Sequence, residues 1–381
     1  MMRQTCRRQF VLFIAFCLLP SGLLPQIASS QEPTVHAVII GDTSPAAGWG
    51  ALAVHITADT VGMYASLANG LPESQFRYYP LSLEDDQWAT PDNIMSYLAE
   101  VNVRPNDTLL FYYSGHGAAD DKGHYFHLAG GKLYRDDVRR AMETKSARLN
   151  VLLSDCCNLR EDGFSYFAPG IRESPPLRAK PIFEALLLRP TGWVDLNASS
   201  PGEGAFFGSD DPEKGGFPGS LFTTALLNLW ENQSNTSMTW DEAVDHVRVD
   251  VYLAFRQTYP KGAAPEAGFD SQTQQNVYAY SYPGMPPRTG PRTGMTVRNH
   301  SNPGALIVRA QPDSPATHAF DVAKQTFVSL QPGQNIVRAN DTEIQRVEDL
   351  VAVAADSPQL MRLMIQNTNG TASEFLISLS Y

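Results

Sequence analysis

The chain contains the stretch Leu109-Leu110-Phe111-Tyr112-Tyr113-Ser114-Gly115-His116-Gly117, an apolar run that ends in a histidine between two glycines. A second stretch, Val151-Leu152-Leu153-Ser154-Asp155-Cys156-Cys157, is also apolar and ends in an acid and two thiols. Strands that are buried in a parallel sheet have this near-continuous apolar character. In an open α/β sheet, reactive groups gather at the carboxyl ends of the strands. The two stretches therefore predict neighbouring strands that place an imidazole beside a thiol.

An imidazole beside a thiol is the chemistry of a cysteine hydrolase. A thiol is mostly protonated at neutral pH, and a neighbouring histidine lowers its pKa and accepts its proton. We therefore predict His116 as the base and a thiol of the second stretch as the nucleophile. Strand alternation places Cys156 and Cys157 on opposite faces, so only one of them can meet His116. The amides of Gly117 and Cys157 are the candidate donors to a developing oxyanion.

The N-terminus is predicted to be a secretory signal peptide covering residues 1–30. Arg3, Arg7 and Arg8 precede the apolar run 10–19, and the small residues Ala28-Ser29-Ser30 follow before Gln31. Charged, apolar and small-residue regions in this order are typical of such a signal. The alternative is a membrane anchor, although the run is short for a span. We expect an exported protein (periplasmic, secreted or cell-surface) with no membrane contact after signal removal.

The number of cysteines and the net charge restrict the classes of function that are possible. Once residues 1–30 are removed, the remaining cysteines are Cys156 and Cys157, which are adjacent and so unsuited to bridging each other. Free thiols in an exported protein indicate a reactive role, and the alternative is two small buried hydrophobic residues. The net charge of −11 and the absence of a basic stripe argue against a nucleic-acid partner.

The order of predicted elements indicates an α/β fold with a mainly parallel sheet and helices on both faces. Predicted strands and helices alternate at 35–41, 51–67, 76–79, 91–101, 109–114, 136–142 and 151–155. Residues 158–204 are predicted to be mostly a long loop with one short helix near 182–188. A strand at 205–209, helices at 221–230 and 240–252 and a closing strand at 277–280 are expected to follow.

A Pro/Gly-rich segment at 283–295, in which Pro-Arg-Thr-Gly occurs twice, predicts a linker. We therefore expect a catalytic domain at 31–282 and a small β-rich domain at 296–381.

The motifs Tyr-Ser-Gly-His-Gly and Asp-Cys-Cys, each after an apolar strand, resemble those of the caspase and metacaspase family of cysteine peptidases. The resemblance covers residues 35–282 and implies a caspase-like fold. It implies a cysteine-type endopeptidase that acts on protein or peptide substrates, with His116 as general base and Cys157 as nucleophile. Cys157 is preferred over Cys156 because metacaspases place the nucleophile two residues after the acid.

The resemblance also implies a substrate preference. Metacaspases cleave after Arg or Lys, and acids in their pocket hold the cationic side chain. Asp155 and Asp59 match those acids and Ser114 matches a third pocket residue, so all three are candidate substrate-binding residues. The alternatives are that Asp59 is a solvated helix residue and that Asp155 only makes an orienting hydrogen bond.

The match departs from the family pattern after the nucleophile. Metacaspases usually continue with His-Ser-Gly, whereas this chain continues with Asn158-Leu159-Arg160. An inactive caspase-like scaffold, which would work through a C-terminal peptide-binding groove, is therefore the alternative function.

No metal ligand and no certain cofactor is indicated by the residues. His116, His124 and His127 lie near Asp120 and Asp121, but their spacing fits no familiar zinc site. Calcium activates some metacaspases through acids on a loop, which makes Ca²⁺ a candidate activator. Asp136 and Asp137 match that region loosely, and the simpler expectation is that they cap the following helix.

The C-terminal 86 residues resemble a PDZ domain of the kind attached to exported bacterial proteases. Leu330-Gln331-Pro332-Gly333-Gln334-Asn335-Ile336 resembles the Leu-x-x-Gly-Asp-x-Ile turn of such domains, with Gln334 in place of Asp. Gly304, Ala305, Leu306 and Ile307 match the carboxylate-binding loop and its strand, so they are the candidate peptide-binding residues. The implied partner is an extended peptide that adds a strand to the sheet. The alternative is a structural cap.

Overall fold

The apolar stretches quoted above form strands of a central sheet. A computed structural model describes residues 32–43, 50–81, 89–158, 164–166, 176–208, 219–264, 271–285, 293–357 and 359–379. Residues up to 285 form what is called here the α/β region. Its elements are β1 (Val35–Gly41), β2 (Gly50–Leu52), α1 (Ala53–Gly70), β3 (Phe76–Pro80), α2 (Pro91–Glu100), β4 (Thr108–Ser114), β5 (Gly117–Asp120), β6 (Gly123–Leu128), β7 (Gly131–Tyr134), α3 (Arg135–Glu143), β8 (Leu149–Asp155), β9 (Phe164–Tyr166), α4 (Pro181–Phe183, continued by a π-helical turn over Glu184–Leu188), β10 (Gly192–Asn197), α5 (Leu221–Asn232), α6 (Trp240–Thr258) and β11 (Tyr278–Ser281).

The central sheet has the strand order β11-β10-β8-β4-β1-β3. Strands β10, β8, β4, β1 and β3 run parallel, and β11 runs antiparallel to β10. Every residue of β4 and of β8 is buried, because helices cover both faces of the sheet. One core contains residues of α1, α5 and α6, and the other contains residues of α2 and α3. The predicted α/β fold with a mainly parallel sheet is confirmed.

Three local expectations for this region are wrong. The stretch 158–204 contains the predicted short helix, now α4 and its π-helical turn, but it also contains the strand β10, which was not predicted. The charged Asp195 made this strand hard to recognise, and the structure pairs this acid with the buried Arg135 and with Arg139. The expected strand at 205–209 is reduced, within the described residues, to one bridge between Phe207 and Ser220.

The expected capping of α3 is the third error. Asp136 and Asp137 lie in the first turn of α3, and the N-cap position is Tyr134, whose side chain makes no capping hydrogen bond. Acids inside a first turn still favour a helix, because they face the positive end of its dipole. Helix α2 begins as predicted, since Thr90 and Asn93 form a reciprocal capping box in front of it.

The C-terminal β region begins at residue 293. Its elements are β12 (Met295–Asn299), β13 (Ala305–Ala310), β14 (Ala319–Asp321), β15 (Thr326–Val328), β16 (Asn335–Ala339), β17 (Thr342–Glu343), α7 (Val347–Asp356), β18 (Leu360–Gln366) and β19 (Ala372–Ser378). The strand order is β12-β13-β16-β18-β19-β14-β15, with β17 paired to β16. The adjacent pairs are antiparallel, and a core of their apolar side chains includes residues of α7.

The four residues predicted to bind a peptide are not available for strand addition. Strand β13 pairs with β12 on one side, and Ala305 and Leu306 pair with β16 on the other. The Gly304 amide donates to the Gln345 carbonyl, and the Ile307 amide donates to the Gln334 carbonyl. Since their backbone groups are already paired, the placement of the peptide-binding edge at Gly304, Ala305, Leu306 and Ile307 is wrong. Among the described residues, β12 and β15 are the two edge strands of this sheet.

The α/β region and the C-terminal β region share an apolar interface. Val249 and Tyr252 of α6 pack with Phe320, Leu360 and Leu376 of the C-terminal strands. The side-chain amide of Gln359 accepts from the Ala279 amide at 2.7 Å and donates to its carbonyl at 3.1 Å, so it pairs with the backbone of β11.

We expect Leu376→Ala to lower the free energy of unfolding of the whole chain by about 2–5 kcal/mol, because this side chain is buried in the interface. Calorimetry should show one transition at a lower Tm, since the regions are packed together. Val308→Ala is the matched control, because Val308 is 45% exposed on the C-terminal sheet. Two separate transitions, with only one of them displaced by Leu376→Ala, would contradict this expectation.

Two predicted segments fall outside the described residues, namely the signal peptide at 1–30 and most of the linker at 283–295. Among the residues that are described, no helix has the length and apolar character needed to span a membrane.

Candidate active site

His116 and Cys157 leave the sheet at the same level. Strands β4 and β8 are parallel neighbours, with Ser114 opposite Asp155 in their register. The pairing continues one step beyond the strands, where the Gly115 amide donates to the Asp155 carbonyl at 3.1 Å. His116 and Cys157 each come two positions after this pair. They therefore lie on adjacent backbone segments at the carboxyl edge of the sheet.

The imidazole of His116 is buried and neutral. Its backbone carbonyl accepts from the Tyr113 hydroxyl at 2.8 Å and from the His127 amide at 2.9 Å, which anchors the turn between β4 and β5. Burial, with a smaller contribution from His127, lowers the pKa of His116 to about 3. A neutral imidazole at neutral pH has a nitrogen that can accept a proton, as a general base requires.

The two thiols have different surroundings. Cys156 is buried in the core beneath α2 and α3, and burial raises the pKa of its thiol. Cys157 is half-buried, and its Sγ lies 3.3 Å from the amide nitrogen of Ala205. The Cys157 carbonyl accepts from Nε2 of His124 at 3.0 Å. The more accessible of the two sulfurs is therefore Cys157.

Gly117, a candidate oxyanion donor, packs directly against the end of β8. A Cβ at this position would lie 2.6 Å from the Cys156 Sγ and 2.8 Å from the Cys157 carbonyl oxygen. Real Cβ atoms do not approach so closely, so this backbone contact requires glycine. It brings the residue after His116 against the residue predicted as nucleophile.

The three candidate substrate-binding residues form one buried cluster. The Ser114 hydroxyl donates to the Asp59 carboxylate at 2.9 Å. The Ser220 amide also donates to Asp59 at 2.9 Å, while the Ser220 hydroxyl donates to Asp155. Asp155 accepts further hydrogen bonds from the amide and the hydroxyl of Thr223, at 3.0 and 2.6 Å. Asp59 is 0% exposed, so the alternative that it is a solvated helix residue is wrong.

This cluster places two buried carboxylates close together. Burial and the neighbouring Asp155 raise the pKa of Asp59 well above its usual value. Burial raises the pKa of Asp155 to about 6, against the opposing hydrogen bonds from Ser220 and Thr223. Within the described residues, no Lys or Arg forms an ion pair with either acid. Carboxyl groups whose pKa is raised in this way are common at functional sites.

Sequence reasoning missed the residues that hold this cluster and the thiol. Ser220 is the N-cap of α5 and Thr223 lies in its first turn, which is a capping pattern that the sequence shows. The sequence does not show that both residues also donate to the carboxylate of Asp155. Ala205 lies in an irregular segment with no signal that it would face a sulfur. His124 was considered only as a metal ligand.

No metal site is evident in the ranges that the structure covers. No group of three or more His, Cys, Asp or Glu side chains is arranged there to hold a metal ion. The Asp137 carboxylate instead pairs with Arg140, one turn along α3.

A thiol and a neutral imidazole at the ends of adjacent parallel strands have the arrangement of a cysteine hydrolase. Residues 66–281, more than half of the chain, match the family model described as "Caspase domain". The chain therefore belongs to the caspase family of cysteine peptidases, and its α/β region has the caspase-like fold. The matched residues include His116 and Cys157 and exclude Asp59.

The fold can also be compared with solved structures. The crystal structure of caspase-1 from Spodoptera frugiperda resembles this chain with a TM-score of 0.41 and 14% sequence identity, over 66% of this chain and 86% of that one. No curated protein sequence was found to match.

Proposed function

We propose that this protein is a cysteine endopeptidase of metacaspase type that cleaves proteins after Arg or Lys. The observation that carries this proposal is the buried pair Asp59 and Asp155, because Asp155 ends β8 two residues before Cys157 and Asp59 is joined to it through Ser220. Membership of a peptidase family implies protein substrates. An acid pair at this position favours substrates with a cationic side chain next to the scissile bond.

The proposed reaction proceeds through an acyl-enzyme. The Cys157 thiol gives its proton to His116, and the sulfur attacks the carbonyl carbon of the scissile peptide. The amides of Gly117 and Cys157 donate to the oxyanion that develops on the carbonyl oxygen. His116 then returns the proton to the leaving amine as the C–N bond breaks. In the second half, His116 accepts a proton from water, which attacks the thioester and releases Cys157.

The substrate side chain would be held by its charge. A guanidinium offers two parallel N–H donors to a carboxylate, and a buried acid makes this pairing stronger than it would be in water. Ser114 and Ser220 orient the Asp59 carboxylate with hydrogen bonds, and Ser220 also orients Asp155. An Asp side chain in the same position would bring a further negative charge to the acid pair, which predicts rejection of such substrates.

The experiment that tests this function is hydrolysis of fluorogenic peptides that end in Arg, Lys or Asp. We expect turnover of the Arg and Lys peptides and none of the Asp peptide. Parallel reactions with calcium and with a chelator test Ca²⁺ as an activator. Turnover of the Asp peptide alone would contradict the proposed specificity, and no turnover in any reaction would favour the inactive scaffold.

The acid pair also predicts the pH dependence of turnover. Because the pKa of Asp155 is raised to about 6, this carboxyl binds a proton and loses its charge as the pH falls through that value. We therefore expect kcat/KM for an Arg peptide to fall below pH 6, since kcat/KM reports the ionisation of the free enzyme. Measuring kcat/KM from pH 4.5 to 8 checks this, and an Asp155→Asn protein should lose this dependence. A profile that is flat down to pH 5 would contradict it.

We also propose that the C-terminal β region binds an extended peptide along β12. This strand is one of the two edges of the described sheet, and it is the edge beside which α7 begins, since the Val347 amide donates to the Asn299 side chain at 2.8 Å. Peptides commonly bind by adding a strand to such an edge. Fluorescence anisotropy of labelled peptides with the full chain tests this, with amidated C-termini as the control for carboxylate recognition. Equal binding of free and amidated peptides would contradict a PDZ-like mode.

We propose that the protein is exported, because residues 1–30 have the sequence pattern of a signal peptide. The mass of the protein recovered after expression in a secreting host tests it, with a mature chain beginning at Gln31 as the expected result. Retention of residues 1–30 would favour the membrane anchor.

A further inference from the structure

The segment Glu203–Phe206 passes beside Cys157 with its amides pointing in alternate directions. The Ala205 amide donates to the Cys157 sulfur at 3.3 Å. The amides on either side of it, those of Gly204 and Phe206, donate instead to the side-chain oxygens of Gln272 and Gln275, at 2.5 and 3.0 Å. The two glutamines therefore bracket the one amide that faces the sulfur.

Both glutamines belong to the segment 271–277, which leads into β11. Gln275 is fully buried and uses both ends of its side chain, because its nitrogen donates to the Ala198 carbonyl at 2.9 Å. The neighbouring Asn276 reinforces the same contact, since its backbone amide donates to the Glu203 carboxylate at 2.9 Å. At its two ends the segment also makes backbone hydrogen bonds, since the Glu203 and Phe206 carbonyls accept from the amides of Asn158 and Leu221. Between these ends, the glutamine side chains hold the Gly204 and Phe206 amides.

We propose that Gln272 and Gln275 are positioning residues that hold the Ala205 amide against the sulfur of Cys157. This inference rests on the proposed function in one respect, namely that Cys157 is the nucleophile. The glutamines themselves touch neither the sulfur nor the scissile bond, and they act through the backbone of residues 204–206.

The held amide affects the ionisation of the thiol. An N–H donor stabilises a thiolate more than a thiol, because the negative sulfur is the stronger acceptor. The Ala205 carbonyl opposes this effect, since it can accept from the protonated thiol, but it lies farther away at 3.8 Å. The titratable groups on the surrounding elements are His116 after β4, His124 on β6, Asp155 and Cys156 at the end of β8, and Glu203 in the segment itself.

The test is the pH dependence of alkylation of Cys157 by iodoacetamide, followed by intact-protein mass spectrometry. We compare the wild type with Gln275→Met and Gln272→Met, which remove the acceptor oxygens with little change in side-chain length. Gln274→Met is the matched control, because this half-buried glutamine lies between the two. A Cys157→Ala protein measures alkylation of the buried Cys156.

We expect both test variants to raise the pH midpoint of alkylation and to slow alkylation at pH 7 by about three- to tenfold, as loss of a thiolate donor requires. Gln274→Met should match the wild type. With an Arg peptide, kcat should fall in both variants while KM is unchanged, because the acid pair is untouched. Circular dichroism identifies any variant that fails to fold. If Gln275→Met does not fold, the result for Gln272→Met, the less buried of the two, decides the test.

Identical alkylation profiles for Gln272→Met, Gln275→Met and Gln274→Met would overturn the proposal. Faster alkylation of the test variants at every pH would also overturn it, because the segment would then shield the sulfur instead of activating it. Alkylation does not require peptide hydrolysis. A wild type that hydrolyses no peptide but shows the expected midpoint change would therefore refute the proposed function and leave this inference standing.

Discussion

Replacing Cys157 with alanine is expected to lower kcat for an Arg peptide by a factor of about 10⁴ or more, the size of effect seen when a nucleophile is removed. Only the sulfur can form the acyl bond, so no neighbouring group can take over this step. Cys156 cannot substitute for it, because that thiol is buried on the other side of the strand end and its pKa is raised. The measurement is the initial rate of hydrolysis under reducing conditions.

Cys156→Ala is the matched control for this prediction. It removes a sulfur of the same type one residue away, from a core position beneath α2 and α3. We expect a loss of stability of about 1 kcal/mol and turnover within a few-fold of the wild type. The reverse result, in which Cys156→Ala is inactive and Cys157→Ala retains turnover, would assign the nucleophile to Cys156.

Neutralising the acid pair is expected to have the second-largest effect. Asp155→Asn and Asp59→Asn should each lower kcat/KM for Arg and Lys peptides by about 10²- to 10³-fold, since loss of one partner from a desolvated charge pair costs several kcal/mol. Asparagine keeps an acceptor oxygen for Ser220 and Thr223, so the start of α5 should be retained. Removing one of two buried like charges should not reduce stability, and the same kinetic assay and a thermal melt measure both effects.

Asp107→Asn is the matched control, because it neutralises a buried carboxylate that lies away from the acid pair. Asp107 precedes β4 at the opposite end of that strand, where it pairs with Arg104 and His36. Its pKa is lowered to about 2, because hydrogen bonds from Arg104 and its neighbours outweigh burial. We expect this variant to lower Tm and leave the preference for Arg over Asp peptides unchanged. A change of preference with Asp107→Asn, or none with Asp155→Asn, would contradict the assignment of the pocket.

Much of the α/β region could be predicted from local patterns. The strands β1, β4 and β8 are mainly apolar, and the capping residues of α2 are visible in the sequence, so these elements follow from patterns of a few residues. Strand β10 could not be predicted in this way. Its Asp195 is tolerated in a central strand only because Arg135 and Arg139 reach it from α3, more than fifty residues earlier in the chain.

The peptide-binding edge was misplaced for a related reason. The turn sequence around Gly304 is compatible with a carboxylate loop, but a free edge is a property of the whole sheet. The pairing of β13 with β12 and β16 uses the backbone groups that a peptide would need. No local pattern reports which strand of an antiparallel sheet will be left at its end.

By itself, the sequence determined the central sheet and the placement of His116 and Cys157 at its carboxyl edge, because the periodicity of apolar residues and the polar groups that end each run are local properties. Only the tertiary structure decided that Asp59, Ser114 and Asp155 meet under the start of α5, and that Gln272 and Gln275 hold Ala205 beside the sulfur. These contacts join residues that lie 48 to 161 positions apart. They depend on how helices and loops pack on the sheet, and that packing is set by the shape of the complete core.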